Sequence, residues 1–207
     1  MLTIVPGGEV RGTLGCAEFD AAAVEAAAEV LASGEPQTRS LHHELGDVEV
    51  YFEPHRLDPL LAIVSATDVA RALRRHATEI GYRTVLVESR AERVTAGDDR
   101  VASIGELPLT GADAVVFTDH DAPGVTEMLA LLLRSPIGFL GVMGSRRHVA
   151  HYVEELRALG FTGDDLSRIR SPLGLDLGGR GPQEIALSIA AGLVAHAHGR
   201  EGGWLDR

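Results

Sequence analysis

Lysine is missing from the 207 residues, so all 19 basic side chains are arginine. Without a lysine there is no Schiff-base chemistry and no P-loop. Cysteine occurs once, at Cys16, which excludes an internal disulfide and a multi-cysteine metal site and fits a reducing cytoplasm. Positive charge is scarce. Thirty acidic residues leave a formal net charge of −11, which argues against nonspecific binding to nucleic acid or anionic membranes. No apolar run approaches the roughly 18 residues of a membrane span. The opening MLTIVPGGEVRG lacks the basic-then-apolar order of a signal peptide, so a cytoplasmic protein is expected. What remains is ordinary: 45% hydrophobic and 24% charged residues describe a globular chain of one domain, or one domain with a small appendage.

The pattern along the chain divides it into a small α+β segment over 1–56 and a larger domain over 57–207. In the first, Met1–Val5 reads as a short strand and Pro6-Gly7-Gly8 as a turn. Asp20 is placed as the N-cap of an Ala-rich helix over 21–32, ended by Ser33-Gly34. Asp47–Glu53 alternates as a half-buried strand does. Pro54–Pro59 reads as a linker. From residue 60, strand and helix alternate: strands at 60–64, 83–88, 113–117 and 138–143, helices at 68–80, 124–134, 145–159 and from Pro182 to about 198. The continuous apolar run Leu60–Val64 suits a strand buried on both faces. Such alternation predicts a Rossmann-like α/β fold, with a parallel sheet and helices on both faces.

Five places could carry chemistry. At the first strand-to-helix turn, Ser65 and Thr67 stand where a dinucleotide fingerprint has its first two glycines, only the small Ala70 is kept, and Asp68 adds a negative charge at the helix start. Glu88 occupies the position of the ribose-binding acid. NAD(P) is therefore not expected to bind. The second junction, Gly144-Ser145-Arg146-Arg147, offers amide N–H groups, a hydroxyl and two guanidinium groups to an anion, although Ser145 can also be a plain cap and the arginines can pair with surface acids. Gly174 and Asp176 lie in a glycine-rich loop before Pro182, which either approaches a ligand or simply connects two elements. Asp119 and His120 follow an apolar strand, where open α/β sheets bind ligands; His120 is a base, a metal ligand or a loop anchor. Cys16 is a soft metal ligand or a buried inert thiol. The pairs His42-His43 and His196/His198 lack further ligands at metal-site spacing and read as surface histidines.

Together these stretches resemble the XdhC/CoxI family, accessory proteins of molybdenum hydroxylases such as xanthine dehydrogenase and carbon monoxide dehydrogenase. Gly8–Cys16 is similar to the family's first glycine-rich segment, and Val48–Pro54 to the strand that closes its N-terminal part. Thr118–Asp121, Gly141–Arg147 and Pro172–Gly178 look like its C-terminal signature in order and spacing. The resemblance implies a protein that binds the molybdenum cofactor and assists its maturation or insertion, without being an enzyme itself. It implies a partner hydroxylase, a homodimer, and cofactor contacts from Gly144, Ser145, Arg146, Arg147, Gly174, Asp176, Cys16, Asp119 and His120, with Cys16 as metal ligand. The chain departs from the family pattern in a shorter N-terminal part, in Glu44 near the place of a second cysteine, and in the lost glycines at 65 and 67. Two alternatives stay open: an NAD(P)-dependent oxidoreductase, and a degenerate member that keeps only a protein-interaction role.

Overall fold

The computed structural model describes residues 1–5, 9–42, 46–55, 58–144 and 146–206, without the side chains of 146–150. The turn at 6–8, His43 and Glu44, and the cap at Ser145 therefore lie outside the described residues. The chain forms two compact units, 1–57 and 58–207.

In the first unit β1 (Leu2–Ile4) pairs antiparallel with β2 (Val10–Gly12), and α1 (Ala17–Ser33) leads to the antiparallel pair β3 (Gln37–Leu41) and β4 (Val48–Phe52). Ala23, Ala27 and Val30 are buried on α1 at helical spacing, and Ala23 and Val30 share a small core with Leu41 and Phe52. Asp20 is not the N-cap. The helix starts at Ala17, Cys16 takes the cap position, and Asp20 reaches back from the first turn, its carboxylate accepting the Leu14 N–H at 2.7 Å and the Thr13 hydroxyl at 2.8 Å. A carboxylate in a helix's first turn is favourable wherever it finds free donors, so the capping residue was misplaced by a few positions.

The second unit runs β5 (Leu60–Val64), α2 (Asp68–Glu79), β6 (Arg83–Val87), β7 (Arg100–Val101), β8 (Ala114–Phe117), α3 (Val125–Leu133), β9 (Phe139–Val142), α4 (Arg146–Ala158), α5 (Gly163–Ser167), β10 (Ile169–Arg170) and α6 (Pro182–Ala197). Its six strands are all parallel, in the order β10-β9-β8-β5-β6-β7. Counted from β5 this is 3-2-1-4-5-6, the strand order of the Rossmann fold. Alternate residues of each strand go to opposite cores. Leu61, Ile63, Leu86 and Val116 pack under α2 and α6, while Ala62, Val64, Val87 and Val115 pack under α3 and α4. Strands and helices fall within two residues of the positions that the apolar runs predict. The exceptions are β7 and β10, of two residues each, and α5, of five; elements this short carry no periodic signal.

Polar residues pin the ends of the elements. Buried Asp113 accepts the Leu60 N–H at 2.7 Å and the Thr110 N–H at 2.6 Å, tying together the starts of β5 and β8. Arg168 donates to the carbonyl of Leu133, the last residue of α3, and to those of Ser135 and Ile137 just past it. Glu184 accepts the Arg180 and Gly181 N–H groups ahead of α6, which has Pro182 as its first residue.

Candidate functional site: the crevice at the ends of β5, β6 and β8

The strand order reverses between β5 and β8, and in open α/β sheets the crevice beyond the carboxyl ends of those strands is the ligand site. Here the protein fills it with its own side chains. Ser65 is buried with φ of +79°, the left-handed conformation that a glycine would adopt cheaply at this turn. It is held there by its N–H donating to Val87 and by its hydroxyl, which accepts from Arg90 Nη2 at 3.2 Å. Three further amides of the turn and the helix start are also used. The Ala66 N–H donates to Glu88 Oε2 at 3.1 Å, Thr67 N–H to the Ser65 carbonyl, and Ala70 N–H to the Thr67 hydroxyl, which caps α2. Thr67 Oγ1 in turn donates to Thr118 Oγ1 at 2.9 Å, joining the turn to the end of β8.

Glu88 does not face an open ribose pocket. Its side chain is only 2% exposed and is clamped by Arg90, with Nε at 2.8 Å from Oε1 and Nη2 at 3.1 Å from Oε2. Burial pushes this carboxyl up, but the Arg90 side chain and amide and the Ala66 amide outweigh burial and hold it down at about 2. Arg90 Nη2 also reaches Asp119 Oδ2 at 3.2 Å, where Arg93 Nη1 arrives at 2.8 Å. The result is a continuous chain of charge, Glu88–Arg90–Asp119–Arg93, laid across the end of β5. Sequence reading singled out Glu88 and Asp119 but not the arginines between them. An arginine shortly after a strand has no motif, and its partner is 29 residues away.

The other candidate residues are placed as follows. His120, Asp119 and Asp121 bring ligand-type atoms within 4.8 Å of one another. The two guanidinium groups on Asp119 would oppose any cation there. The His120 carbonyl accepts the Tyr152 hydroxyl. Burial and then the charges of Asp121, Asp119 and Glu155 push the Tyr152 phenol up. Gly144 lies two residues past the end of β9, and Arg146 and Arg147 open α4; their side chains and Ser145 are outside the described residues. Gly174 and Asp176 do not lie over the ends of β5 and β8. Gly174, at φ of +94°, packs on Ser188 and Gly192 of α6, and Leu175 exchanges hydrogen bonds with Ser188. Asp176 lines a cavity of about 440 Å³ together with Arg170, His196, Arg200 and Glu201. Among the described residues neither Arg170 nor Arg200 has an ionic partner within 4.0 Å. His196 is exposed, as expected, with Nε2 3.1 Å from the Gly138 carbonyl and its ring edge-on to Phe139. Cys16 is half-buried at the N-cap of α1, in the first unit.

Comparison with known proteins gives three likenesses. Residues 61–193 match the family described as the XdhC Rossmann domain. Over 220 aligned positions the chain is 23% identical to YqeB, an uncharacterised protein of Escherichia coli K12; the alignment covers 95% of this chain and 40% of that protein. A crystal structure of a Bacillus halodurans protein described as a xanthine dehydrogenase shares the fold, with a TM-score of 0.60 and 22% identity over 77% of this chain and 48% of that one. This chain thus spans less than half the length of either relative. With the six-stranded 3-2-1-4-5-6 sheet and the family match over 61–193, the chain belongs to the XdhC family.

Proposed function

We propose that the protein is an accessory factor that carries the molybdenum cofactor and assists its maturation or insertion into a hydroxylase of the xanthine or carbon monoxide dehydrogenase type. The observation that carries this reading is the closed crevice. In an XdhC-family Rossmann domain, the Ala66 amide of the turn is taken by Glu88, and Glu88, the acid that would serve a dinucleotide, is itself clamped by Arg90, which also reaches Asp119. That arrangement disfavours hydride transfer from NAD(P)H. Titration of the protein with NAD, NADH or their phosphorylated forms is expected to give dissociation constants no tighter than about 1 mM, or about −4 kcal/mol. Micromolar binding of any of them restores the oxidoreductase reading.

The cavity beside Asp176 suits the cofactor by its donor set. Asp176 offers an acceptor to the N–H groups of a pterin, and Arg170 and Arg200 offer guanidinium groups to its phosphate. Arg146 and Arg147 at the start of α4 are a second source of positive charge for that phosphate. The cofactor would supply the molybdenum centre of the partner; the role of this chain is to bind it, orient it and shield it from water. The test is a mass spectrum of protein purified from a molybdenum-competent host. A bound pterin supports the reading, and its absence leaves the interaction-only alternative, to which the same closed crevice also lends weight.

The Cys16 thiolate is the proposed metal ligand, and its packing contribution is small. Cys16→Ser is expected to lower the melting temperature by only a few degrees, about 1 kcal/mol, while pterin retention falls much further. Equal retention in mutant and parent removes Cys16 from the site. The homodimer is proposed on the same family grounds and is checked by light scattering.

A further inference from the structure

Arg90 and Arg93 aim two N–H groups at one oxygen. Arg90 Nη2 and Arg93 Nη1 lie 3.2 and 2.8 Å from Asp119 Oδ2. The arginines follow β6, the carboxylate follows β8, and the contact crosses the end of β5, where Ser65 Oγ takes a further bond from Arg90. This is the point at which such sheets hold ligands. Arg90 does not depend on Asp119 for its position, because Glu88 fixes the guanidinium through both of its oxygens and the Arg90 N–H as well. Arg93 is 41% exposed, so solvent reaches the seat from that side. Among the described residues the Asp119 carboxylate is tied to its own loop by one bond, from the Asp121 N–H to Oδ1 at 3.0 Å.

We propose that the Arg90–Arg93 pair is a phosphate seat which the chain fills with its own Asp119 carboxylate, and that a phosphate-bearing ligand enters by replacing that carboxylate. Two guanidinium groups converging on one oxygen are what a tetrahedral oxyanion meets in a built site. Phosphate is favoured over a carboxylate ligand by charge and valence. An incoming carboxylate only exchanges like for like with Asp119. A phosphate brings up to two charges and three acceptor oxygens, enough to bond Arg90 Nη2 and the full fork of Arg93 together. A dinucleotide asks for more than this seat gives: a close backbone approach at Ser65 and Thr67 and a free Glu88. The seat is therefore distinct from the nucleotide site that the crevice has lost. It is independent of the proposed cofactor role, because it is tested with inorganic anions.

The experiment is calorimetric titration of the whole chain with inorganic pyrophosphate at fixed ionic strength. The parent is expected to bind weakly, in the millimolar range, because the probe must displace Asp119. Asp119→Asn keeps the shape and removes the competing charge, and its affinity should rise at least tenfold. Adding Arg93→Gln to that variant should return the affinity to the parent's value or below. An Asp119→Asn protein that folds and binds no more tightly overturns the proposal, as does a gain that survives the loss of Arg93. If Asp119→Asn does not fold, the exposed Arg93→Gln alone decides. It should weaken the parent's pyrophosphate binding at least fivefold, and parental binding that is undetectable or unchanged by it overturns the proposal.

Discussion

Glu88→Ala is expected to destabilise the protein by about 3–5 kcal/mol, the range for removing one partner of a buried ion pair. The carboxylate accepts four N–H groups at 2.8–3.1 Å: the Ala66 amide, the Arg90 amide, and Nε and Nη2 of Arg90. Its loss leaves a largely buried guanidinium with only Ser65 and Asp119, and it frees the turn that holds Ser65 at positive φ. The same carboxyl sets an acid limit. Its value in the folded state is about 2 against 4.5 for an unperturbed glutamate. A group lowered in this way stabilises the fold fully above pH 4.5, and that contribution is lost as pH falls toward 2. The gap corresponds to about 3 kcal/mol. Urea unfolding at pH 7, and again between pH 5 and pH 2, measures both effects. The parent should lose stability steeply over the acid range, and Glu88→Ala should lose less of it there. A mutant within 1 kcal/mol of the parent at pH 7 would mean that the pair makes no net contribution to stability, as some buried pairs do not.

Gly174→Ala is the second large effect, and here shape decides rather than charge. A methyl group at 174 would stand 2.4 Å from Ser188 Oγ and 3.1 Å from the Ile189 nitrogen, both on α6, at a backbone φ of +94°. Ser188 cannot simply turn away, because its hydroxyl is bonded to the Leu175 carbonyl. The loop must lift off the helix, with an expected cost of about 3 kcal/mol, or roughly 6–12 °C in melting temperature for a chain of this size. Gly178→Ala separates space from conformation. Gly178 also has positive φ, at +75°, but nothing lies within 4 Å of its would-be Cβ. Its expected cost is about 1 kcal/mol, from the backbone alone. Equal losses at the two positions would show that packing on α6 is not what Gly174 supplies.

The parallel core was legible because burial on both faces writes itself into the sequence as unbroken apolar runs. Leu60–Val64 and Ala114–Phe117 are such runs, and both proved to be central strands. β3 was missed because Gln-Thr-Arg-Ser-Leu covers the small unit with one face only, and its apolar signal is a single leucine. The candidate site was half legible. The lost glycines at 65 and 67 announced that the dinucleotide turn had changed. What replaced the ligand could not be read, since the Arg90–Asp119 contact joins the ends of two strands that only the folded sheet brings together. The packing of Gly174 on α6 was hidden for the same reason: a glycine before a helix looks alike whether it meets a ligand or a neighbouring hydroxyl.

The two strands that flank the sheet also decide how it can meet other molecules. β7 and β10 contribute two residues each, so each flank presents only a stub of free main chain. A stub of that length cannot template an incoming strand, and the sheet resists both accidental polymerisation and deliberate strand donation. Any association of this domain must therefore be read through side chains on helices and loops. Partner choice can then change by surface substitution alone, while the hydrogen-bonded frame beneath stays as it is.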